Sequence, residues 1–159
     1  MLVLEQLPGQ VAAEELRGNK ADKLLLSWEQ RRWARGRFVT AQGREIALAL
    51  PTGTRLEPGR TLCVEADWYL AVEAVSEPVL AIGPRDRQEA IQIAFEIGNR
   101  HFPLAVESDN LLVPDDPAMV QLLERAGVPW ERRLAVFTPI SKLSLSTSDS
   151  ERRSGRHDP

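Results

Sequence analysis

The chain is poor in the residues that most often carry catalytic chemistry. Its 159 residues contain one cysteine and two histidines. The single cysteine, Cys63, excludes an internal disulfide and fits a reducing cytosol. The two histidines, His101 and His157, do not support a histidine, acid and nucleophile set. A Gly-rich phosphate loop ending in Lys-Ser/Thr is also missing, so we expect neither nucleotide hydrolysis nor another enzymatic activity.

Positive charge and long apolar runs are scarce as well. The formal net charge is -3, so no overall basic field exists to hold a nucleic-acid backbone. No run is apolar and long enough to span a bilayer. The first residues lack the basic region and apolar core of a secretion signal. We therefore expect a soluble cytoplasmic protein with neither nucleic acid nor membrane as a partner.

Residues 1–76 have the pattern of short strands separated by turns. Strands are predicted at 23–28, 37–40, 45–50, 61–64 and 69–75. In the third of these, Ile46, Leu48 and Leu50 alternate and share one face. Gln42 and Gly43 suit a tight hairpin between the second and third strands. No helix of convincing length is predicted, so the pattern indicates a small antiparallel β domain.

The first helical pattern follows residue 82. Asp86, with Glu89 three residues later, predicts the start of a helix. Its apolar stripe is predicted at helical spacing on Ile91, Ala94 and Phe95. Gly98 is predicted to end the helix in the left-handed conformation that glycine adopts easily.

The remaining pattern completes a second domain. Asp116 is predicted to cap a second helix, and strands are predicted at 79–82, 104–107, 111–113 and 133–137. The resulting order β-α-β-β-α-β is the ferredoxin-like arrangement. Residues 141–159 lack an apolar pattern and are predicted to form a flexible tail. The predicted fold class is α+β: an N-terminal antiparallel β domain (1–76), a ferredoxin-like βαββαβ domain (77–140) and the tail.

His101 lies at the predicted junction between a helix and a strand. Neutral imidazole binds nickel, copper and zinc, and a short corner between regular elements holds a ligand in fixed geometry. Spacing alone nevertheless favours a solvated surface histidine. His157 falls in the predicted tail, where a ligand role and an uninvolved tail residue are about equally supported.

Four arginines and two tryptophans alternate within residues 28–37. They are Trp28, Arg31, Arg32, Trp33, Arg35 and Arg37. Such a cluster permits RNA contact, but the negative net charge favours a solvated or partner-binding face. Cys63 is predicted to be a buried structural thiol, and Met119 a core or dimer-surface residue.

The run Phe-Glu-Ile-Gly-Asn-Arg-His-Phe-Pro-Leu at 95–104 resembles the signature of the UreE family, the urease accessory nickel chaperones. The resemblance continues through 109–116 and, upstream, through 37–39, 46–53 and 74–80. It implies an N-terminal β domain thought to bind peptide and a ferredoxin-like metal-binding domain. It also implies a homodimer joined through the C-terminal domains. The family's metal-binding histidine falls on His101, so two copies would hold one nickel ion between them.

The resemblance implies a metallochaperone that donates nickel during urease metallocentre assembly. Its partners would be the urease accessory GTPase and the urease apoprotein complex. Uptake of zinc or copper in vitro is also an expectation. Family members commonly carry further histidines and a histidine-rich tail, whereas here only His157 follows His101. High-capacity nickel storage is therefore not expected. The expectation is one tightly held ion per dimer, or a weaker site, with His157 as a candidate added ligand. The alternative is a peptide-binding or scaffolding module with a weak role, or none, in metal delivery.

Overall fold

The structure is a computed structural model that describes residues 1–141. Its class is α+β, with many strands and two α-helices in that range. The strands of the first half are β1 (Leu2–Leu4), β2 (Lys20–Leu26), β3 (Arg35–Val39), β4 (Glu45–Ala49), β5 (Thr61–Val64) and β6 (Trp68–Ala74). The second half contains β7 (Ser76–Ile82), α1 (Arg87–Asn99), β8 (Ala105–Glu107), β9 (Asn110–Pro114), α2 (Pro117–Ala126) and β10 (Trp130–Val136).

The first half folds as two three-stranded sheets around one core. Their strand orders are β1-β4-β3 and β2-β6-β5. The alternation predicted over residues 45–50 is confirmed, because Ile46 and Leu48 of β4 and the following Leu50 are all buried. The predicted hairpin between β3 and β4 is also confirmed, with Gly43 at a φ of 84° in its turn. Cys63 lies in the same core, as predicted.

The prediction of a purely antiparallel first half was wrong. β1 runs parallel to β4, with Leu2 opposite Ile46, and β2 runs parallel to β6, with Lys20 opposite Trp68. Parallel neighbours are joined by long crossovers rather than by hairpins. Local alternation reports which face of a strand is buried and contains no information about which distant strand lies beside it.

A buried carboxylate ties β2 to the turn between β3 and β4. Asp22 is 1% exposed and accepts hydrogen bonds from the Thr40 hydroxyl, the Arg44 guanidinium at 2.8 Å and the backbone amides of Lys23 and Gln42. Burial alone would raise the pKa of Asp22. The four donors outweigh burial and hold this pKa below its ordinary value.

The second half is one sheet with both helices packed on one face. The strand order is β10-β7-β9-β8, and every neighbouring pair is antiparallel. Ile93 and Ile97 of α1 and Met119 of α2 pack against β7 and β9. Met119 is fully buried, so its predicted core role is confirmed.

Side-chain caps begin both helices where the sequence predicted them. The Asp86 carboxylate accepts from the Glu89 amide at 2.7 Å, and the Asp116 carboxylate accepts from the Ala118 amide at 2.8 Å. Each cap satisfies a backbone N–H that has no partner within the helix. Gly127, at a φ of 68°, ends α2.

The other face of this sheet contacts the first half. Phe137 is fully buried there, and its ring lies 5.5 Å from that of Trp28 in an edge-to-face arrangement. The Glu77 carboxylate accepts from the Trp28 amide at 2.9 Å. Arg31 donates to the Phe137 carbonyl and to the Thr138 hydroxyl. The two halves are thus joined by an aromatic pair and a buried arginine.

Candidate metal site at the end of the first helix

Helix α1 does not end at Gly98. It continues to Asn99, with Arg100 as its cap residue, so the predicted end at Gly98 was wrong. The residue in the left-handed conformation is His101, at a φ of 59°. The extra turn places Ile97 in the core. The buried position of Ile97 therefore outweighs the tendency of Gly98 to stop a helix.

Two backbone hydrogen bonds close the helix around His101. The Phe102 amide donates to the Ile97 carbonyl at 3.3 Å, and the His101 amide donates to the Gly98 carbonyl at 3.0 Å. This pair defines a Schellman motif, in which the left-handed residue is usually glycine. For a residue with a Cβ, that conformation costs about 1–2 kcal/mol. Histidine is among the side chains found there more often than average.

The backbone on both sides of His101 is anchored. Upstream, Ile97 is fully buried, and downstream, Leu104 is 8% exposed. The Leu104 carbonyl also accepts from the Ile140 amide at 2.8 Å. The corner is therefore held between two core residues, which is the support that a binding side chain needs for fixed geometry.

The imidazole of His101 is exposed to solvent. Within residues 1–141 its side chain makes no hydrogen bond or ion pair. Its neighbour Arg100 instead faces Glu96 at 3.8 Å, an exposed pair of little energetic weight. The strained backbone position therefore carries a side chain with no hydrogen bond or ion pair in the described part of the molecule.

A single described chain does not supply a complete metal site. Across residues 1–141, no group of three or more His, Cys, Asp or Glu side chains is arranged to hold an ion. Cys63 is buried in the other half, and burial raises the pKa of its thiol, which disfavours the metal-binding thiolate. His157 lies outside the described residues. The structure therefore presents one accessible imidazole, whereas Ni²⁺ needs several donors.

Helix α1 also presents an apolar face to solvent. Ile91 and Phe95 are one turn apart and are 58% and 65% exposed. The sequence assigned these two residues to the core stripe, but Ile93 and Ile97 fill that role. Both pairs have the same spacing, so periodicity did not distinguish them. The exposed pair lies on the helix that leads into the His101 corner.

The arginine cluster divides between the interior and the surface. Arg31 is 5% exposed, so its predicted place on a solvated face was wrong. Its partners, Phe137 and Thr138, lie more than 100 residues away in sequence, and no local pattern signals them. Arg32, Arg35 and Arg37 are exposed as predicted.

No α-helix within residues 1–141 is long and apolar enough to cross a membrane.

The chain matches two family models in succession. Residues 4–75 match the N-terminal domain of the UreE urease accessory protein, and residues 77–158 match its C-terminal domain. The chain is 35% identical over 121 residues to the urease accessory protein UreE of Rhodobacter capsulatus, covering 76% of this chain and 75% of that protein. It is 34% identical over 131 residues to the Lysinibacillus sphaericus (strain C3-41) protein of the same name, covering 82% and 88%.

These matches place the molecule in a class and then in a family. Its class is that of the urease accessory proteins, which are not enzymes. The chain belongs to the UreE family.

Proposed function

We propose that this protein is a nickel-binding metallochaperone that donates nickel during urease metallocentre assembly. One observation carries the proposal. In a member of the UreE family, an exposed imidazole occupies the left-handed position of a Schellman motif, where glycine would cost less. A side chain kept at such a position, with no internal partner in residues 1–141, is well suited to bind something outside its own chain.

The proposed nickel site is shared by two copies of the chain. His101 offers one imidazole, and a twofold axis would bring a second to the same ion. The exposed faces of Ile91 and Phe95 support a homodimer joined through the C-terminal domain, because pairing would cover them. Full burial of a large apolar side chain contributes about 1.5–3 kcal/mol.

The remaining ligands would be exchangeable. We propose His157 as an added donor, with water completing the shell. Such a shell suits a carrier, because the ion has to leave at its destination. Imidazole donors also bind zinc and copper, so both are expected to compete in vitro.

The proposal extends to organisation, location and partners. We assign residues 1–76 to a β domain that binds a peptide or partner, 77–140 to a ferredoxin-like metal-binding and dimerisation domain, and 141–159 to a tail. The strand order β10-β7-β9-β8 with both helices on one face supports the ferredoxin-like assignment. We place the protein in the cytoplasm, acting with the urease accessory GTPase and the urease apoprotein complex.

One observation favours a second candidate function. Residues 1–141 provide a single accessible imidazole and no cluster of potential metal ligands. A peptide-binding or scaffolding accessory module, with a weak role or none in metal delivery, would need no more than that. The two candidates differ in whether nickel binding depends on position 101.

Solution mass and nickel content, measured together, separate these functions. We expect wild type to bind one nickel ion per two chains and to have the mass of a dimer when loaded. His101→Asn should lose this stoichiometric nickel while keeping the fold, because Asn tolerates the left-handed conformation. His157→Asn is the matched control and should lose less. Equal nickel binding by wild type and His101→Asn would favour the scaffold function.

A further inference from the structure

A half-open cavity of about 380 Å³ lies where the two halves of the chain meet. Three arginines line it, together with one carboxylate and an aromatic wall: Arg31, Arg32, Arg55, Glu57 and Trp28. Residues of α1 and of the His101 corner do not line it. We name this cavity the junction pocket. It is separate from the proposed nickel site. Its arginines and its tryptophan belong to residues 1–76, so an occupant of this pocket rests on the peptide- or partner-binding role proposed for that domain.

Arg31 fixes a positive charge in the wall of the junction pocket. Its guanidinium is buried, donates to the Phe137 carbonyl and lies 3.2 Å from the Thr138 hydroxyl. Its Nε is also buried and has no hydrogen-bond partner within residues 1–141. A buried charge with an unused donor is costly unless something compensates it. Glu77 and Glu57 are close enough to act on it electrostatically, but neither forms an ion pair with it.

Arg32 and Arg55 are the accessible charges of the pocket. Both side chains are exposed, and neither forms an ion pair with another residue in the part of the chain that the structure describes. The Arg32 guanidinium lies 5.8 Å from the centre of the Trp28 ring. A planar guanidinium binds a carboxylate through two parallel hydrogen bonds. Two such groups in the lining, with a third buried in the wall, favour an anionic occupant.

The apolar walls restrict which anion fits. Trp28 and Ile140 line the pocket beside the arginines, and Ile140 is 60% exposed. A free phosphate has no apolar part, so these walls would stay exposed to water. Its charge, larger than that of one carboxylate, would also be repelled more strongly by Glu57. A carboxylate that carries an apolar neighbour would cover the walls and pair with the guanidinium groups. The pocket is also open to solvent, so a peptide that extends beyond the pocket can enter it.

We propose that the junction pocket binds an acidic peptide segment of a partner protein. A glutamate or aspartate side chain of the segment pairs with Arg32 and Arg55, and an adjacent apolar side chain packs on Trp28 and Ile140. Arg31 supplies the fixed charge behind them. This surface would dock a partner without using His101, so docking and nickel binding are separable.

Fluorescence anisotropy of the full chain tests this proposal. The probes are a fluorescein-labelled Gly-Leu-Glu-Leu-Gly peptide and its twin with Gln in place of Glu. We expect the Glu peptide to bind at least about tenfold more tightly, because a charge-assisted pair contributes more than a neutral hydrogen bond. Arg32→Gln and Arg55→Gln should each weaken the Glu peptide about tenfold. Arg37→Gln is the matched control, since Arg37 is exposed on β3 and does not line the pocket.

Several results would overturn the proposal. These are equal binding of the two peptides, an equal effect of Arg37→Gln and Arg55→Gln, and displacement of the peptide by succinate or inorganic phosphate at the peptide's own concentration. The last result would mean that a small anion is the occupant. Thermal unfolding of each variant establishes that the fold is retained. All three substitutions change an exposed side chain and leave the buried Arg31 in place.

Discussion

Asp22 in the first half and His101 in the second are both unusual residues, and they are held in opposite ways. Asp22 is a buried carboxylate with four hydrogen-bond donors from its own chain. His101 is an exposed imidazole on a left-handed backbone, with no side-chain partner in residues 1–141. The chain therefore satisfies the buried charge of Asp22 with its own donors, and it leaves the polar atoms of the His101 side chain without a partner in residues 1–141. A residue of the first kind maintains the fold, and one of the second kind is available to a ligand.

The end of α2 provides the internal reference for His101. Gly127 has a φ of 68°, close to the 59° of His101. The two helices thus end in nearly the same backbone conformation, one on the residue that adopts it freely and one on a residue that does not. The two helix ends therefore differ mainly in the side chain at the left-handed position. Substitutions can show whether that side chain stabilises the fold or binds a ligand.

The largest effect is expected from Asp22→Asn. The amide would turn a donor toward Thr40 or Arg44, so that buried polar groups lose their partners, and we expect a loss of about 2–3 kcal/mol in the free energy of unfolding. Urea unfolding measures it. Nickel binding should be unchanged, and Glu73→Gln, which removes an exposed partner of Lys23, should be near neutral. If Asp22→Asn left the free energy of unfolding unchanged, the contrast between the two regions would disappear.

The contribution of Asp22 should depend on pH. Its pKa is lowered in the folded state, so its stabilisation is fully present above the unfolded value of about 3.9 and is lost as pH falls through the lower folded value. Urea unfolding of wild type and Asp22→Asn, repeated from pH 7 to pH 3, should give curves that converge only below about pH 4. Convergence near neutral pH would contradict this account of the carboxylate.

Gly127→Ala should cost about 1–2 kcal/mol, the typical penalty for a Cβ in the left-handed conformation. A Cβ at this position would meet no atom within 4 Å, so the penalty comes from the backbone and not from a clash. Chemical unfolding measures it. If Gly127→Ala is as stable as wild type, then His101 carries no strain and the reasoning from its conformation fails.

Gly98→Ala should have the smallest effect and the opposite sign. Gly98 lies inside α1, and a Cβ there would also meet no atom within 4 Å. Alanine in a helix interior is favoured over glycine by roughly 0.5–1 kcal/mol. The variant should therefore unfold at a slightly higher urea concentration. A destabilised variant would indicate that Gly98 ends the helix, as the sequence predicted.

Local chemistry made part of this fold predictable. Asp86 and Asp116 mark the starts of both helices because their side chains bond to amides within three residues. Gly43 marks a hairpin for a similarly local reason. The parallel pairing of β1 with β4 was not predictable in this way, since it joins residues that are more than 40 positions apart.

The candidate site was predictable in identity but not in geometry. The Gly-Asn-Arg-His run indicated His101 through its resemblance to the UreE family. The left-handed backbone of His101 was not predictable. Gly98 is the stronger local signal for a helix end, but the burial of Ile97 extends the helix past it. The burial of Arg31 was hidden for a different reason: its partners lie at the other end of the chain.

Nickel titration calorimetry of His101→Gly, beside its urea unfolding curve, tests the central claim most directly. Glycine relieves the left-handed backbone and removes the imidazole in one change. The variant should be at least as stable as wild type and should bind nickel at least about tenfold more weakly, the scale on which even outer-shell changes weaken metal sites. Wild-type nickel affinity in a stable His101→Gly protein would contradict the claim that this imidazole holds the metal.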